Sequence, residues 1–277
     1  MAGALVTGAA RGLGLEVARQ LAGRGLTVHL TDVDAEAVGA AASSLGGEAW
    51  GSALDVRDRA ACEAAARATV ERAGSLDIWV NNAGVLVTGR SWEHDEDEVR
   101  RVLDVNAVGT INGTLAALEP MRAAGRGHVI NVISLAGLVA APGEVLYAAS
   151  KHAAIAFSLG TLFDLRREGI DGIHVSCVCP DGIWTPMLED RLNDPDAAGS
   201  FSGHFLTPQE AATGVISLLE RPRPVLAIPR RRGVVMRVFD AFPRLSVRLI
   251  PFLMRDAQRR QRRWKKKIES GRWPPGH

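Results

Sequence analysis

"ALVTGAARGLG", residues 4–14, decides the fold. A short apolar run ends at Thr7 in a loop whose glycines are Gly8, Gly12 and Gly14, and the loop opens into a helical pattern that reaches about Arg24. The spacing is G-x-x-x-G-x-G, not the commoner G-x-G-x-x-G, but the physics is shared. Glycine permits a tight turn and close backbone approach, and the free N–H groups of a helix N-terminus face an anion. A strand, a glycine loop and a helix in that order are expected to hold a pyrophosphate, with Arg11 and Leu13 on the same loop.

The same alternation continues along the chain. "LTVHLTD" precedes a helical stretch from about Ala35, "EAWGSALDV" precedes "DRAACEAAARATVERAG", and "LDIWVNNAG" precedes a long segment around 95–124. "GHVINVIS" leads into the stretch that holds Tyr147, "GIHVSCVCP" into a long loop and "TPQEAATGVISLLE", and "PVLAIP" is the last apolar run. Thr207, Pro208 and Glu210 form an N-cap, a first-turn proline and a capping box. Seven such runs with helical crossovers predict an α/β fold, a doubly wound parallel sheet covered on both faces. Ligands of such sheets bind beyond the carboxyl ends of the strands, where strand order reverses.

The 277 residues divide by charge. Arg230–His277 has 15 Lys and Arg against 3 Asp and Glu, a net +12, whereas Met1–Pro229 has 18 against 28, a net −10. Two parts are therefore expected: an acidic body, 1–229, and a basic extension, 230–277. Cys177 and Cys179 share one face if their run is a strand, and they are expected to pack there as small hydrophobes. With Cys62 they make a poor metal site, so no metal is expected. A reducing, cytoplasmic location is expected. No run of 18 uninterrupted apolar residues suggests a membrane span.

Asp32 ends the second run, followed by Val33. A carboxylate there accepts both ribose hydroxyls of NAD and repels a 2′-phosphate, whereas Arg11 favours that phosphate. The carboxylate is expected to prevail, giving NAD over NADP. Tyr147 is the chain's one tyrosine, and Lys151 follows it by one helical turn. A phenol titrates near pH ~10, and lowering it by about three units takes about 4 kcal/mol. One cation at about 4 Å, at an effective dielectric near 20, supplies about that much.

With these motifs in order, the sequence resembles the short-chain dehydrogenase/reductase family, in its single-domain branch, from about residue 3 to residue 229. The resemblance rests on "TGAARGLG" at 7–14, "LDV" at 54–56, "NNAG" at 81–84, Asn106, Ser134, and Tyr147 with Lys151; twelve residues separate Ser134 from Tyr147. It implies a Rossmann-like fold and a catalytic tetrad of Asn106, Ser134, Tyr147 and Lys151. Tyr147 would be the acid/base of hydride transfer, Ser134 would bond the substrate oxygen, and Asn106 would hold a proton-relaying water chain. It also implies that Asp55 and Val56 flank the adenine, that Asn82, Ala83 and Gly84 line the cleft, and that Pro180, Ile183 and Thr185 hold the nicotinamide end. The family has Pro-Gly where this chain has Pro180-Asp181. Asp181 is expected either to be a hydrogen-bonded loop residue or to place a carboxylate near the nicotinamide. A homo-oligomer is expected.

For the substrate side, Leu135, Trp184, Met187 and Leu188, with Phe201 and Phe205, suggest a hydrophobic alcohol or ketone, of steroid, terpenoid or lipid type. The alternatives are an NADPH-dependent acyl or ketone reductase, and a non-catalytic Rossmann-like protein recruited to a membrane or partner. In the extension, Arg237, Arg244, Arg248 and Arg255 form one helical stripe among apolar residues, Pro243 and Pro251 interrupt it, and "RRQRRWKKK" follows. Residues 233–267 are expected either to lie on an anionic membrane surface or to dock on the body or a sister subunit. No nucleic acid partner is expected, because the acidic body would repel it.

Overall fold

In the computed structural model, which describes residues 2–203 and 205–271, seven strands form one all-parallel sheet. They are β1 (Gly3–Thr7), β2 (Thr27–Asp32), β3 (Trp50–Ala53), β4 (Ile78–Asn81), β5 (Gly127–Val132), β6 (Ile173–Pro180) and β7 (Val225–Ile228), in the order β3-β2-β1-β4-β5-β6-β7. β1 pairs with β2 on one side and β4 on the other, so strand order reverses there and opens a crevice at the carboxyl ends. All five residues of β1 are buried, as a strand covered on both faces requires.

The crossovers are α1 (Gly12–Ala22), α2 (Ala35–Leu45), α3 (Arg59–Ala73), α4 (Glu96–Leu103), α5 (Gly109–Ala124) and α6 (Val145–Arg167). They are followed by a short α7 (Pro186–Glu189) and by α8 (Pro208–Glu220). Asp34, Asp58 and Asp95 start α2, α3 and α4 by accepting from the N–H three residues on. The capping box at α8 forms as expected: Thr207 N donates to Glu210 at 2.8 Å and Glu210 N to Thr207 Oγ1 at 3.2 Å. One face of the sheet packs Val17, Leu21, Leu30 and Val215, and the other packs Trp79, Ala116, Met121 and Leu162. Cys177 and Cys179 are both fully buried beside Ile133 and Ala154, as small hydrophobes.

Since β7 runs parallel to the rest, the chain leaves it on the ligand side of the sheet. The extension forms α9 (Arg230–Ala241) and α10 (Pro243–Glu269), broken at Phe242, and Pro251 lies inside α10 without ending it. Residues 272–277 of the expected extension lie outside the described residues. α10 spans about 40 Å at 1.5 Å per residue, and its two halves differ. In the second half, Ala257 and Gln261 are buried, Gln261 donates to the carbonyls of Arg191 (3.3 Å) and Asp194 (2.7 Å), and the Trp264 ring lies 4.5 Å from that of Phe205, tilted by 60°. In the first half, Leu245, Val247 and Phe252 are exposed.

Candidate active site

The carboxyl ends of β1, β4, β5 and β6 rim a cavity of about 970 Å³. One end is built from glycine. Gly8 has φ +62°, and a Cβ there would lie 2.8 Å from Ala83 Cα; Gly12 has φ +60° and faces the Thr185 methyl. Asn82 donates to the carbonyls of Thr7 (3.0 Å) and Gly8 (2.9 Å), and Thr7 Oγ1 accepts from the N–H groups of Asn82 and Ala83. The two loops at the reversal of strand order are thus held as one piece. Arg11 is the N-cap of α1 and gives it no side-chain cap, so the helix N-terminus opens toward the cavity. Gly14 departs from expectation. A Cβ there would lie 2.2 Å from the Gly8 carbonyl oxygen, so Gly14 packs α1 beneath the loop and does not line the cavity.

Asp32 lines the cavity beside Arg11 and Val33, and accepts from Ala10 N at 3.2 Å and Asp34 N at 3.3 Å. Its carboxylate is fixed at the end of β2, and Asp34 takes the capping role on α2. Asp55 is held by a bidentate Arg57, which keeps its carboxyl below the usual range, and Val56 lies beside it on the cavity wall. Asn112 was not expected. It is buried and donates to the carbonyls of Val56 and Arg57, both at 3.0 Å, fixing that wall from α5. A lone Asn some fifty residues from its partners leaves no motif. The glycines without room for a side chain, the open helix N-terminus and the carboxylate ending β2 together fit a dinucleotide.

At the other end, Ser134 follows β5 and lines the cavity with Tyr147, near enough for its hydroxyl to oppose the rise in the phenol's pKa. Its Oγ accepts from Ala136 N at 3.1 Å. Tyr147 lies in the first turn of α6, and Lys151 Nζ lies 5.6 Å from the centre of its ring. That ammonium donates to the Val132 carbonyl at 3.0 Å, and burial lowers Lys151 to about 8. The expected lowering of the phenol does not appear in the chain by itself. Burial raises Tyr147 above its ordinary value, the Glu144 charge raises it further, and the Ser134 hydroxyl opposes both.

Asn106 lies in a π-helical stretch, Asp104–Val108, between α4 and α5. It is fully buried behind the cavity wall, donating to Val85 O (2.9 Å) and Ser150 Oγ (3.0 Å) and accepting from Val85 N (2.8 Å). Its amide ties the loop after β4 to α6. A Cβ on Gly84 would lie 3.2 Å from Asn106 Oδ1 and 3.7 Å from Lys151 Nζ, so the bare Gly84 keeps the space between them open.

Leu135 and Met187 line the substrate end, and Leu188 lines it while packing against Phe201. Trp184 does not line it. It meets Phe205 edge-on at 5.7 Å, and Phe201, Phe205 and Trp264 complete that cluster. Trp184, Phe201 and Phe205 pack with Trp264 and Ile268 of α10, an apolar surface that the sequence alone could not place. Pro180, Ile183 and Thr185 line the cavity as expected. Asp181 also lines it, but its carboxylate accepts from Arg232 Nε at 2.9 Å, and Arg232 reaches Ser202 at 3.1 Å. The residue that replaces glycine therefore clasps α9.

Glu144 was missed too. It precedes Tyr147 by three residues, is 3% exposed, and accepts from Ser200 N at 3.1 Å and Ser200 Oγ at 2.6 Å. Burial pushes its carboxyl up to about 7 against the Ser200 hydrogen bonds. Phe239, Ile250, Leu253 and Met254 of the extension also line the cavity.

The family model for short chain dehydrogenase matches residues 2–196. A cyclopentanol dehydrogenase from Comamonas sp. is 35% identical over 223 residues, covering 78% of this chain and 88% of that one. Among solved structures, a short chain dehydrogenase/reductase from Burkholderia phymatum in complex with NAD is 27% identical with a TM-score of 0.79, covering 88% of this chain and 94% of that one. An actinorhodin polyketide ketoreductase variant with NADPH is 31% identical with a TM-score of 0.74, covering 81% and 94%. The chain belongs to the short chain dehydrogenase family, and is an NAD(P)-dependent oxidoreductase acting on CH–OH groups.

Proposed function

We propose that the protein interconverts a hydrophobic secondary alcohol and its ketone with NAD, using Tyr147 as the acid/base. The observation that carries this reading is the grouping of Ser134, Tyr147 and Lys151, with Lys151 one turn after the tyrosine, at the apolar end of a cavity that begins at the glycine loop. NAD, when bound, takes or gives the hydride. Tyr147 Oη gives its proton to the ketone oxygen in reduction and removes the hydroxyl proton in oxidation. Ser134 orients Tyr147 and bonds the same substrate oxygen. Lys151 supplies positive charge beside the phenol, and Asn106 donates to Ser150 Oγ, which in turn donates to the Tyr147 carbonyl, so it steadies the turn of α6 that carries both. Because the phenol lies above its ordinary value, the oxidative direction should gain with rising pH.

Asp32 at the end of β2 favours NAD, while Arg11 beside it supports an NADPH-dependent reductase as a second reading. Fluorescence titration with NADH and NADPH decides between them. The substrate end, walled by Leu135, Val139 and Met187, suits an apolar ring or chain. A screen of cycloalkanols, terpenols, hydroxysteroids and long-chain secondary alcohols with NAD⁺, read at the NADH absorbance band, tests the reading. NADH that binds with no alcohol oxidised and no ketone reduced would refute it.

A further inference from the structure

Among the described residues, nine of the fifteen exposed large hydrophobic side chains fall between Val234 and Leu253, on the α9–α10 hairpin. Contiguous apolar surface of this kind marks an interaction site. At 3.6 residues per turn, α10 sorts its side chains into three faces. Ile250 and Met254 turn inward and line the substrate cavity. Leu245, Leu249 and Phe252 form an exposed apolar stripe. Arg244, Arg248 and Arg255 flank that stripe, exposed and without an ion pair among the described residues.

Charge selects the occupant. Residues 230–256 contain seven Arg and two Asp, and Asp256 is already paired with Arg260. A two-fold contact between copies would set this patch against itself, arginine facing arginine. An anionic lipid surface offers the complementary charge and an apolar interior, and apolar side chains flanked by cations are what an interfacial helix presents. No helix among the described residues is long and apolar enough to cross a membrane. The docked second half of α10 fixes the hairpin against the substrate loop, so a surface that covers the hairpin also covers the cavity mouth.

We propose that the α9–α10 hairpin seats on an anionic lipid surface and that the substrate cavity opens against it, so that the alcohol or ketone enters from the lipid phase. This rests on reading the cavity as the site of hydride transfer. The full-length protein is sedimented with vesicles of phosphatidylcholine alone and with added phosphatidylglycerol, at low and high salt. Turnover is measured on a water-soluble secondary alcohol and on one dissolved in the vesicles. The wild type is expected to pellet with anionic vesicles, and at least tenfold less with neutral ones or at high salt. Leu245→Glu/Phe252→Glu and Arg244→Glu/Arg248→Glu should each lose at least tenfold in vesicle binding and in kcat/KM for the vesicle-dissolved alcohol, with NADH binding and water-soluble turnover unchanged. Wild type that stays in the supernatant at low salt would overturn the proposal. So would a dimer that Leu245→Glu/Phe252→Glu dissociates, or vesicle binding that leaves kcat/KM for the dissolved alcohol unaltered by either double variant. A wild type that pellets with anionic vesicles but turns over neither alcohol refutes the hydride-transfer reading and with it lipid-phase entry.

Discussion

Replacing Glu144 by Gln tests whether a buried carboxyl beside Tyr147 limits the protein at alkaline pH. Gln keeps the oxygen that accepts from Ser200 N and Oγ, and removes only the titration. The folded carboxyl is pushed from 4.5 to about 7, chiefly by burial. Between those values the folded chain holds one proton more than the unfolded chain, so the stability that the protonated carboxyl contributes is lost as pH rises through about 7. Each unit is worth 1.36 kcal/mol, so wild type should lose about 2 to 3 kcal/mol relative to Glu144→Gln between about pH 5 and pH 8. Urea unfolding of both proteins, followed by tryptophan fluorescence across that range, measures the difference directly, since other titrating groups are common to both. Glu144→Gln should also move the basic limb of the pH–rate profile downward, because it removes a charge that raises Tyr147. A stability difference constant to within about 0.5 kcal/mol across the range would refute the reasoning, because it would mean that the carboxyl is not buried without charge.

Tyr147→Phe should cut turnover at least about a hundredfold while leaving NADH binding intact, since only the proton-transferring hydroxyl is removed; Lys151→Met should lower both, as steady-state rates and NADH fluorescence will show. Asp32→Ala should shift the ratio of NADH to NADPH dissociation constants toward NADPH, because Arg11 remains and the carboxylate does not; an unchanged ratio would discard the role given to Asp32. Arg232→Ala should destabilise by about 2 to 3 kcal/mol, because it strands a buried carboxylate whose partner is itself only partly exposed. Asp181→Gly/Arg232→Ala should recover most of that loss in the same unfolding assay. Ending the chain after Pro229 uncovers Trp184, Phe201 and Phe205 by removing Trp264, Gln261 and Ala257, so the shortened chain should aggregate on expression or purification.

The sheet, its crossovers, the glycine loop and the Ser134–Tyr147–Lys151 group were legible because each is written locally. A short continuous apolar run, an Asp three residues before the N–H it caps, and a lysine one turn after a tyrosine need no distant partner. Most of the residues that were misread, missed or left open depend on one. Trp184 turns away from the cavity because Trp264, eighty residues later, covers its loop. The partner of Asp181 is 51 residues on, and Glu144 is buried by Ser200, 56 residues on. Gly14 resembles a ligand-facing glycine in any linear motif, and only the position of the Gly8 carbonyl shows that it serves packing. The extension was read as either membrane-seeking or docked, and the fold divides it, with Ala257–Ile268 docked and the hairpin before it exposed.

The all-parallel sheet has a practical corollary for handling the protein. Every strand starts at one edge and finishes at the other, and the chain begins at β1 and leaves by β7. The start of β1 therefore lies on the far side from Tyr147, whereas the end of α10 lies beside the loop that it braces. An affinity tag, a fluorescent fusion or a tether to a solid support belongs on the amino terminus. The same cargo at the other end would crowd the doorway, and an assay of such a fusion would report the tag as much as the enzyme.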